Sequence, residues 1–144
     1  MLNTIRKLMG RADQRRAPSI PSGERVYAVG DIHGRADLFE HLIHTIEQDD
    51  AARGRAHTTV VLLGDLIDRG DDSAGVVARA RQWGREREVE FIQGNHEEML
   101  LVASKDAEAM RGFLKFGGLE TILSYGIDKD TLLAADAEEM QRLM

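Results

Sequence analysis

Three short apolar runs alternate with amphipathic segments along the chain. The runs are RVYAV (25–29), TTVVLL (58–63) and VEFIQ (89–93), and each is rich in the β-branched and aromatic residues that favour strands. After the first run, LFEHLIHTIEQ (38–48) places apolar residues at helical spacing, and similar segments follow the other two runs. This alternation predicts an α/β fold in which parallel strands are joined by right-handed helical crossovers.

The polar residues around these segments suggest where the helices begin and end. Asp37 is placed to cap the first helix, and the polar stretch 49–57 predicts a turn after it. Ser73 is expected to start the second helix, and MLLVAS (99–104) belongs to the third. The large apolar side chains expected in the core are Phe39, Trp83 and Met99.

Each predicted strand runs directly into a glycine followed by polar residues. The three sequences are GDIHG (30–34), GDLIDRG (64–70) and GNHE (94–97). Because the carboxyl ends of parallel strands meet at one edge of a sheet, these loops are expected to converge. The candidate site residues that they supply are Asp31, His33, Asp65, Asp68, Arg69, Asn95 and His96.

Part of this set has the composition of a metal centre. Carboxylate, imidazole and amide oxygen ligands suit divalent Mn²⁺, Fe²⁺ or Zn²⁺, and the absence of cysteine excludes thiolate ligands. Asp31 and His33 could approach one ion, Asp65 could bridge two ions, and Asn95 could bind the second ion through its carbonyl oxygen. Two such ions would clamp the oxygens of a phosphoryl displacement and acidify a bound water.

The remaining polar residues suit the other tasks of phosphoester hydrolysis. The guanidinium of Arg69 matches phosphate oxygens in a bidentate fashion. His96 is expected to act as the general acid that protonates the leaving oxygen, with Asp68 orienting the ring and keeping it protonated. Glu97 is a weaker candidate, because an acidic residue at the start of a helix also stabilises the helix dipole.

In their order and spacing, GDIHG, GDLIDRG and GNHE resemble the three N-terminal signature motifs of the metal-dependent phosphoprotein phosphatases. These enzymes are part of the wider group of calcineurin-like metallophosphoesterases. FLKFGGLETILSYG (113–126) also resembles a stretch found in bacterial and phage members. The resemblance covers residues 25–126 and implies a calcineurin-like domain over 23–144, with two packed sheets flanked by helices. It also implies direct hydrolysis by a metal-bound hydroxide at a dinuclear centre.

The resemblance assigns a role to each matching position. It places Asp31, His33 and Asp65 on the first metal, Asp65 and Asn95 on the second, Arg69 on the phosphate, and Asp68 with His96 at the leaving group. It gives a shaping role to Gly30, Gly34, Gly64, Gly70 and Gly94. Outside the motifs, Phe113, Phe116 and the Gly117–Gly118 pair could border a substrate groove, although core packing and a helix break explain them equally well.

The chain departs from the family pattern after these motifs. The family domain continues into a part that supplies further histidine ligands, whereas the spare histidines here, His41, His44 and His57, are expected to be solvated surface residues. We therefore expect an N-terminal portion of a longer enzyme, with exposed apolar surface. A second possibility is an inactive fragment.

Two substrate classes are compatible with the resemblance. The Asp68–Arg69 pair and Glu97 favour a serine/threonine protein phosphatase, which would act on a phosphoprotein or phosphopeptide, with Mn²⁺ as the preferred metal. The alternative substrate is a dinucleoside polyphosphate such as diadenosine tetraphosphate, hydrolysed by the same chemistry.

Length and charge narrow the remaining possibilities. The 144 residues suffice for one domain, and the net charge is −6. Residues 1–22 contain five basic residues and one acidic residue, and they are expected to form a flexible basic tail. The acidic body disfavours a nucleic-acid partner, and the short apolar runs disfavour stable membrane association. With no secretory signal recognised, a cytoplasmic location is expected; the sequence does not indicate an oligomeric state.

Overall fold

The sheet predicted by the apolar runs consists of three parallel strands in the order β1–β2–β3. A computed structural model describes residues 19–135 and 139 of the chain. The strands are β1 (Glu24–Val29), β2 (His57–Leu62) and β3 (Val89–Phe91). In register, Glu24 lies opposite His57 and Val29 opposite Leu62, while Leu62 lies opposite Phe91 on the other side. All three strands therefore point their carboxyl ends toward the same edge.

Six α-helices follow or connect these strands in the described residues. They are α1 (Ala36–Ala52), α2 (Ser73–Glu86), α3 (Asn95–Ala103), α4 (Ala107–Phe113), α5 (Leu119–Ser124) and α6 (Lys129–Ala134). A wide, kinked turn over Leu114–Gly118 joins α4 to α5. The predicted tail falls mostly on residues 1–18, and much of the C-terminal helical segment falls on residues 136–144; apart from residue 139, both lie outside the described residues.

Two apolar clusters hold these elements together. Helices α1 and α2 cover one face of the sheet, where Phe39 and Trp83 are each 1% exposed and pack with the strand residues Val60 and Leu62. The two aromatic rings meet edge to face at 6.1 Å between centroids. The second cluster consists of residues from the four helices α3, α4, α5 and α6. Its largest member, Phe113, is also 1% exposed. Met99 lies partly buried at its margin, so all three predicted core residues contact a core.

Helix α1 differs from its predicted form at both ends. Asp37 does not cap the helix, because it lies in the first turn and pairs with Arg35, which lowers the pKa of Asp37 to about 2. The first part of the predicted turn 49–57 is helical as far as Ala52. Asp49 accepts a hydrogen bond from the Tyr27 hydroxyl at 2.6 Å, and this contact with β1 helps to hold the last helical turn in place.

Several apolar side chains remain exposed in the described part of the chain. Leu38 on α1 is 55% exposed, while Val26, Leu63 and Ile92 lie on or near the uncovered face of the sheet with exposures of 43, 48 and 52%. Parallel sheets normally bury both faces. The expectation of exposed apolar surface is therefore met at this face.

At the amino ends of the strands, a histidine lies between two glutamates. His57 Nδ1 is 2.9 Å from Glu24, and Nε2 is 3.1 Å from Glu88. The hydrogen bond with Glu24, together with the negative charges of Glu88 and Glu24, raises the pKa of His57 above its ordinary value. As predicted, this ring is a surface residue far from the strand exits.

The raised pKa predicts a pH-dependent contribution to stability. Because the folded state holds the proton more tightly, the stabilisation is fully present below about pH 6.5 and is lost as the pH rises through the raised pKa. We expect the urea midpoint of the wild type to exceed that of His57→Gln near about pH 6, and the gap to narrow toward about pH 9. The same substitution at the exposed His41 is the control, and an identical trend in both variants would contradict this assignment.

Candidate active site at the strand exits

The first and second loops bring three predicted metal ligands together. Asp31 and His33 follow β1, and Asp65 follows β2, so all three lie at the carboxyl edge of the sheet. Each offers one ligand atom, and these atoms all lie within 4.8 Å of one another. Three such donors, two anionic and one neutral, can hold a divalent cation.

The orientation of His33 favours cation binding. Its Nδ1 lies 2.9 Å from the carbonyl oxygen of Ile67, and because a carbonyl only accepts, this nitrogen carries the proton. Nε2 therefore has a free lone pair; it is buried, lies 3.5 Å from the carboxylate of Asp31, and has no hydrogen-bond partner among the described residues. A buried acceptor facing a carboxylate is poorly satisfied until a cation lies between them, so these residues fit a metal ion.

Asp65 links all three loops. Its carbonyl oxygen accepts hydrogen bonds from the backbone N–H groups of Ile32 and His33, both at 3.0 Å. Its side-chain Oδ1 accepts from the backbone N–H of His96 at 2.9 Å. Asp65, which the sequence predicts to bridge two metal ions, therefore also holds the three loops together through hydrogen bonds.

A buried pair lies beside the carboxylates. His96 Nδ1 lies 2.7 Å from Asp68 Oδ2, and these side chains are 5 and 0% exposed. On the other side of the ring, Nη2 of Arg69 lies 3.1 Å from Nε2 of His96. Since a guanidinium only donates, Nε2 of His96 accepts in this arrangement, so proton donation by His96 requires that Arg69 first turn toward a ligand.

Backbone strain is concentrated in these loops. In the part of the chain that the structure describes, the non-glycine residues with positive φ are His33, Asp65, Asp68 and Arg69, with values of 47, 52, 73 and 70°. This region is unfavourable for residues with a Cβ, and it is maintained only where the surroundings enforce it. All four are residues that the sequence places in the site.

Glycines allow the loops to approach each other closely. A Cβ on Gly64, whose φ is 99°, would overlap the backbone nitrogen of Gly94, and a Cβ on Gly70 would overlap the carbonyl oxygen of His33. Their predicted shaping role therefore has a steric basis. At Gly30, by contrast, a Cβ would meet nothing within 4 Å, so close packing does not require glycine there.

Glu97 has a larger structural role than its sequence position suggests. Its carboxylate accepts hydrogen bonds from the backbone N–H groups of Asp65, Leu66 and Gly94, each at 2.8 Å. It thereby satisfies donors of both the second and the third loop. The position of Glu97 in GNHE indicated that this residue lies near the candidate site. Its hydrogen-bond partners in the second loop are about thirty residues away, so the sequence pattern does not predict them.

Residues 113–126 contact the buried Asp68–His96 pair through Asp68. Thr121 Oγ1 donates to Asp68 Oδ1 at 2.6 Å and accepts from the Asp68 backbone N–H at 2.8 Å. Ser73 joins the same cluster, with its hydroxyl 2.9 Å from that of Thr121. The Gly117 carbonyl accepts from the Arg69 backbone N–H at 3.0 Å. Thr121 was not singled out from the sequence, and Ser73 and Gly117 were singled out there for other reasons, as a helix start and as a possible groove border or helix break.

Asn95 is the metal ligand that the sequence predicts from the third loop. It is the first residue of α3, its side chain is exposed, and it lines a groove formed with residues of α4 and the turn that follows. Its neighbour His96 is tied to Asp65 through the backbone. Asn95 is therefore adjacent in sequence to a residue that is hydrogen-bonded to the cluster, and it also lines the groove.

The comparison with known families agrees with this architecture. Residues 24–137 match the family model described as calcineurin-like phosphoesterase. The chain belongs to this family. The match supports the predicted α/β metallophosphoesterase fold, with its parallel sheet and helices, and its assignment to the hydrolases.

Curated relatives differ in the substrates that their names state. A symmetrical bis(5'-nucleosyl)-tetraphosphatase of Acidovorax ebreus is 35% identical over 115 residues, which are 80% of this chain and 34% of that protein. Serine/threonine-protein phosphatase 1 of Salmonella typhimurium is 32% identical over 100 residues, 69% of this chain and 42% of that protein. The chain thus spans about a third of the length of several curated relatives.

A solved structure of a candidate diadenosine tetraphosphatase also matches. It is 26% identical, with a TM-score of 0.45, and the match covers 73% of this chain and 38% of that one.

The relatives correct one expectation from the sequence. The prediction of a phosphoprotein or phosphopeptide substrate is wrong, because most of the curated relatives are named as dinucleoside tetraphosphatases. Asp68, Arg69 and Glu97 therefore do not indicate a protein phosphatase. These residues belong to the hydrogen-bonded centre just described.

Among the described residues, no helix has both the length and the apolar character needed to cross a membrane.

Proposed function

We propose that this protein is a symmetrical dinucleoside polyphosphate hydrolase, to which the described residues contribute a metal-binding cluster. The observation that carries the proposal is the cluster of Asp31, His33 and Asp65, in which a buried imidazole nitrogen faces carboxylates without a hydrogen-bond donor among the described residues. The names of most curated relatives support the choice of a dinucleoside substrate. The reaction is hydrolysis of the central phosphoanhydride of a tetraphosphate bridge, which gives two nucleoside diphosphates.

The metal ligands are divided between two ions in this proposal. Asp31, His33 and Asp65 hold one divalent ion, and Asp65 with Asn95 contributes to the second. Mn²⁺ suits this mixture of oxygen and nitrogen donors, with Fe²⁺ or Zn²⁺ as the alternatives. When bound, such ions neutralise phosphate charge and lower the pKa of a coordinated water from about 15.7 toward about 7.

Arg69 binds the substrate, and His96 supplies a proton to the leaving group. Arg69 leaves Nε2 of His96 and donates both of its Nη groups to oxygens of the phosphoryl group under attack. Nε2 of His96, thus freed, takes a proton from solvent and gives it to the leaving diphosphate, while Asp68 accepts from Nδ1 and fixes the ring. Thr121 keeps the second oxygen of Asp68 occupied, so the carboxylate cannot rotate away.

Product analysis in ¹⁸O-labelled water tests the reaction. The purified chain is incubated with Mn²⁺ and diadenosine tetraphosphate, and the nucleotides are separated and weighed by mass spectrometry. We expect ADP as the sole nucleotide product, with one ¹⁸O atom in half of the molecules, because water attacks one of the two central phosphorus atoms.

Matched variants connect this activity to the site. Asp65→Asn removes a carboxylate from the cluster and should abolish turnover, whereas Asp71→Asn removes an exposed carboxylate from the same loop and should not. Formation of AMP and ATP, or no turnover by a folded chain that binds Mn²⁺, would overturn the proposal.

A further inference from the structure

A groove opens beside the candidate site, between α3 and the end of α4. Its volume is about 370 Å³, within the range of small-molecule sites. Apolar side chains dominate its lining, and two polar side chains, Asn95 and Glu98, contribute from α3. The apolar contributors are Met99, Val102, Ala109, Phe113 and Phe116.

Phe116 is the most exposed large apolar side chain in the described residues. It is 65% exposed, whereas Phe113, three residues earlier, is 1% exposed and fills the core. The difference arises from the kinked turn, in which Phe116 leaves helical geometry and Gly117 adopts a φ of 100°. The backbone therefore holds an aromatic ring at the surface of the groove instead of in the core.

The same turn is joined to the phosphate-binding residue. The carbonyl of Gly117 accepts a hydrogen bond from the Arg69 backbone N–H at 3.0 Å, and a Cβ on Gly117 would lie only 2.9 Å from Cγ of Arg69. At its other side, the groove includes Asn95, which precedes His96. The groove is thus continuous with the residues assigned to phosphate and metal, and a ligand anchored at Arg69 can extend into it.

From this continuity we infer that the groove binds one nucleobase of the substrate, with Phe116 as the stacking surface. The inference rests on the proposed function and specifies how that site recognises a nucleotide. An aromatic ring stacks on the face of any base. The carboxylate of Glu98 only accepts hydrogen bonds, so it favours a base with an exocyclic amino group, such as adenine. Its negative charge also disfavours phosphate in the groove and so directs the bridge toward Arg69.

Kinetic comparison of two substrates tests the assignment of Phe116. Phe116→Ala should raise the KM for diadenosine tetraphosphate about tenfold, because stacking is lost. Turnover of p-nitrophenyl phosphate, which has no base, should be unchanged, and Phe116→Trp should restore the wild-type KM. Tyr125→Ala is the matched control, since Tyr125 is 58% exposed but lines a different groove.

A binding measurement separates this inference from the proposed reaction. The indole of Phe116→Trp should change its fluorescence on addition of ADP, against a constant background from the native Trp83, which is 1% exposed. If ADP changes the signal but diadenosine tetraphosphate is not cleaved, the nucleobase site stands and the proposed reaction falls. If cleavage occurs but Phe116→Ala behaves like Tyr125→Ala, or if ADP leaves the fluorescence unchanged, the nucleobase site is refuted.

Discussion

Replacing Gly64 with alanine should lower the free energy of unfolding by about 2–5 kcal/mol. The φ of 99° alone costs a residue with a Cβ about 1–2 kcal/mol. The new methyl group would also overlap the backbone nitrogen of Gly94, and relief of such overpacking adds about 1–3 kcal/mol. Typical domains have only about 5–15 kcal/mol in total, so this loss is large, and urea unfolding followed by circular dichroism will measure it.

A second glycine separates the two causes. Gly54 also has a positive φ, of 79°, but a Cβ there would meet nothing within 4 Å. Gly54→Ala should therefore show only the cost of the left-handed backbone, about 1–2 kcal/mol. Equal losses for the two variants would mean that the second and third loops do not pack through Gly64 and Gly94 as described.

The element order was enough to predict where the site lies. Polar residues after three successive strands had to reach one sheet edge, and Asp31, His33 and Asp65 do meet there. That inference depends only on strand direction, which follows from the helical crossovers. Helix ends were predicted less well, because the last turn of α1 depends on contacts between Asp49 and Tyr27 across the fold.

The supporting residues could not be predicted because their partners are distant in sequence. Thr121 lies 53 positions from Asp68, and Glu97 lies 32 positions from the backbone N–H of Asp65 that it satisfies. A local pattern contains no information about such pairs. The substrate was predicted wrongly because that prediction rested on Asp68, Arg69 and Glu97 alone, whereas the proposed nucleobase site at Phe116 lies outside the three motifs.

His96→Asn should reduce turnover by an amount that depends on the leaving group. Without the imidazole, a poor leaving group loses general acid catalysis, which is worth about 10²–10⁴ in rate. Phenyl phosphate, with a leaving phenol of pKa about 10, should show this full loss. A nucleoside diphosphate or p-nitrophenolate leaves without a proton far more readily, so diadenosine tetraphosphate and p-nitrophenyl phosphate should lose less.

The choice of asparagine keeps this test specific to the proton. An asparagine amide can still donate to Asp68, so the carboxylate, which is 0% exposed, is not left buried without a partner. His41→Asn, on the exposed surface of α1, controls for the substitution itself. Initial rates for phenyl and p-nitrophenyl phosphate with both variants give the comparison. If His96→Asn lowers both rates by the same factor, His96 positions the phosphate or the metal and does not donate the proton. The contact of its Nε2 with Arg69 would then describe its working state.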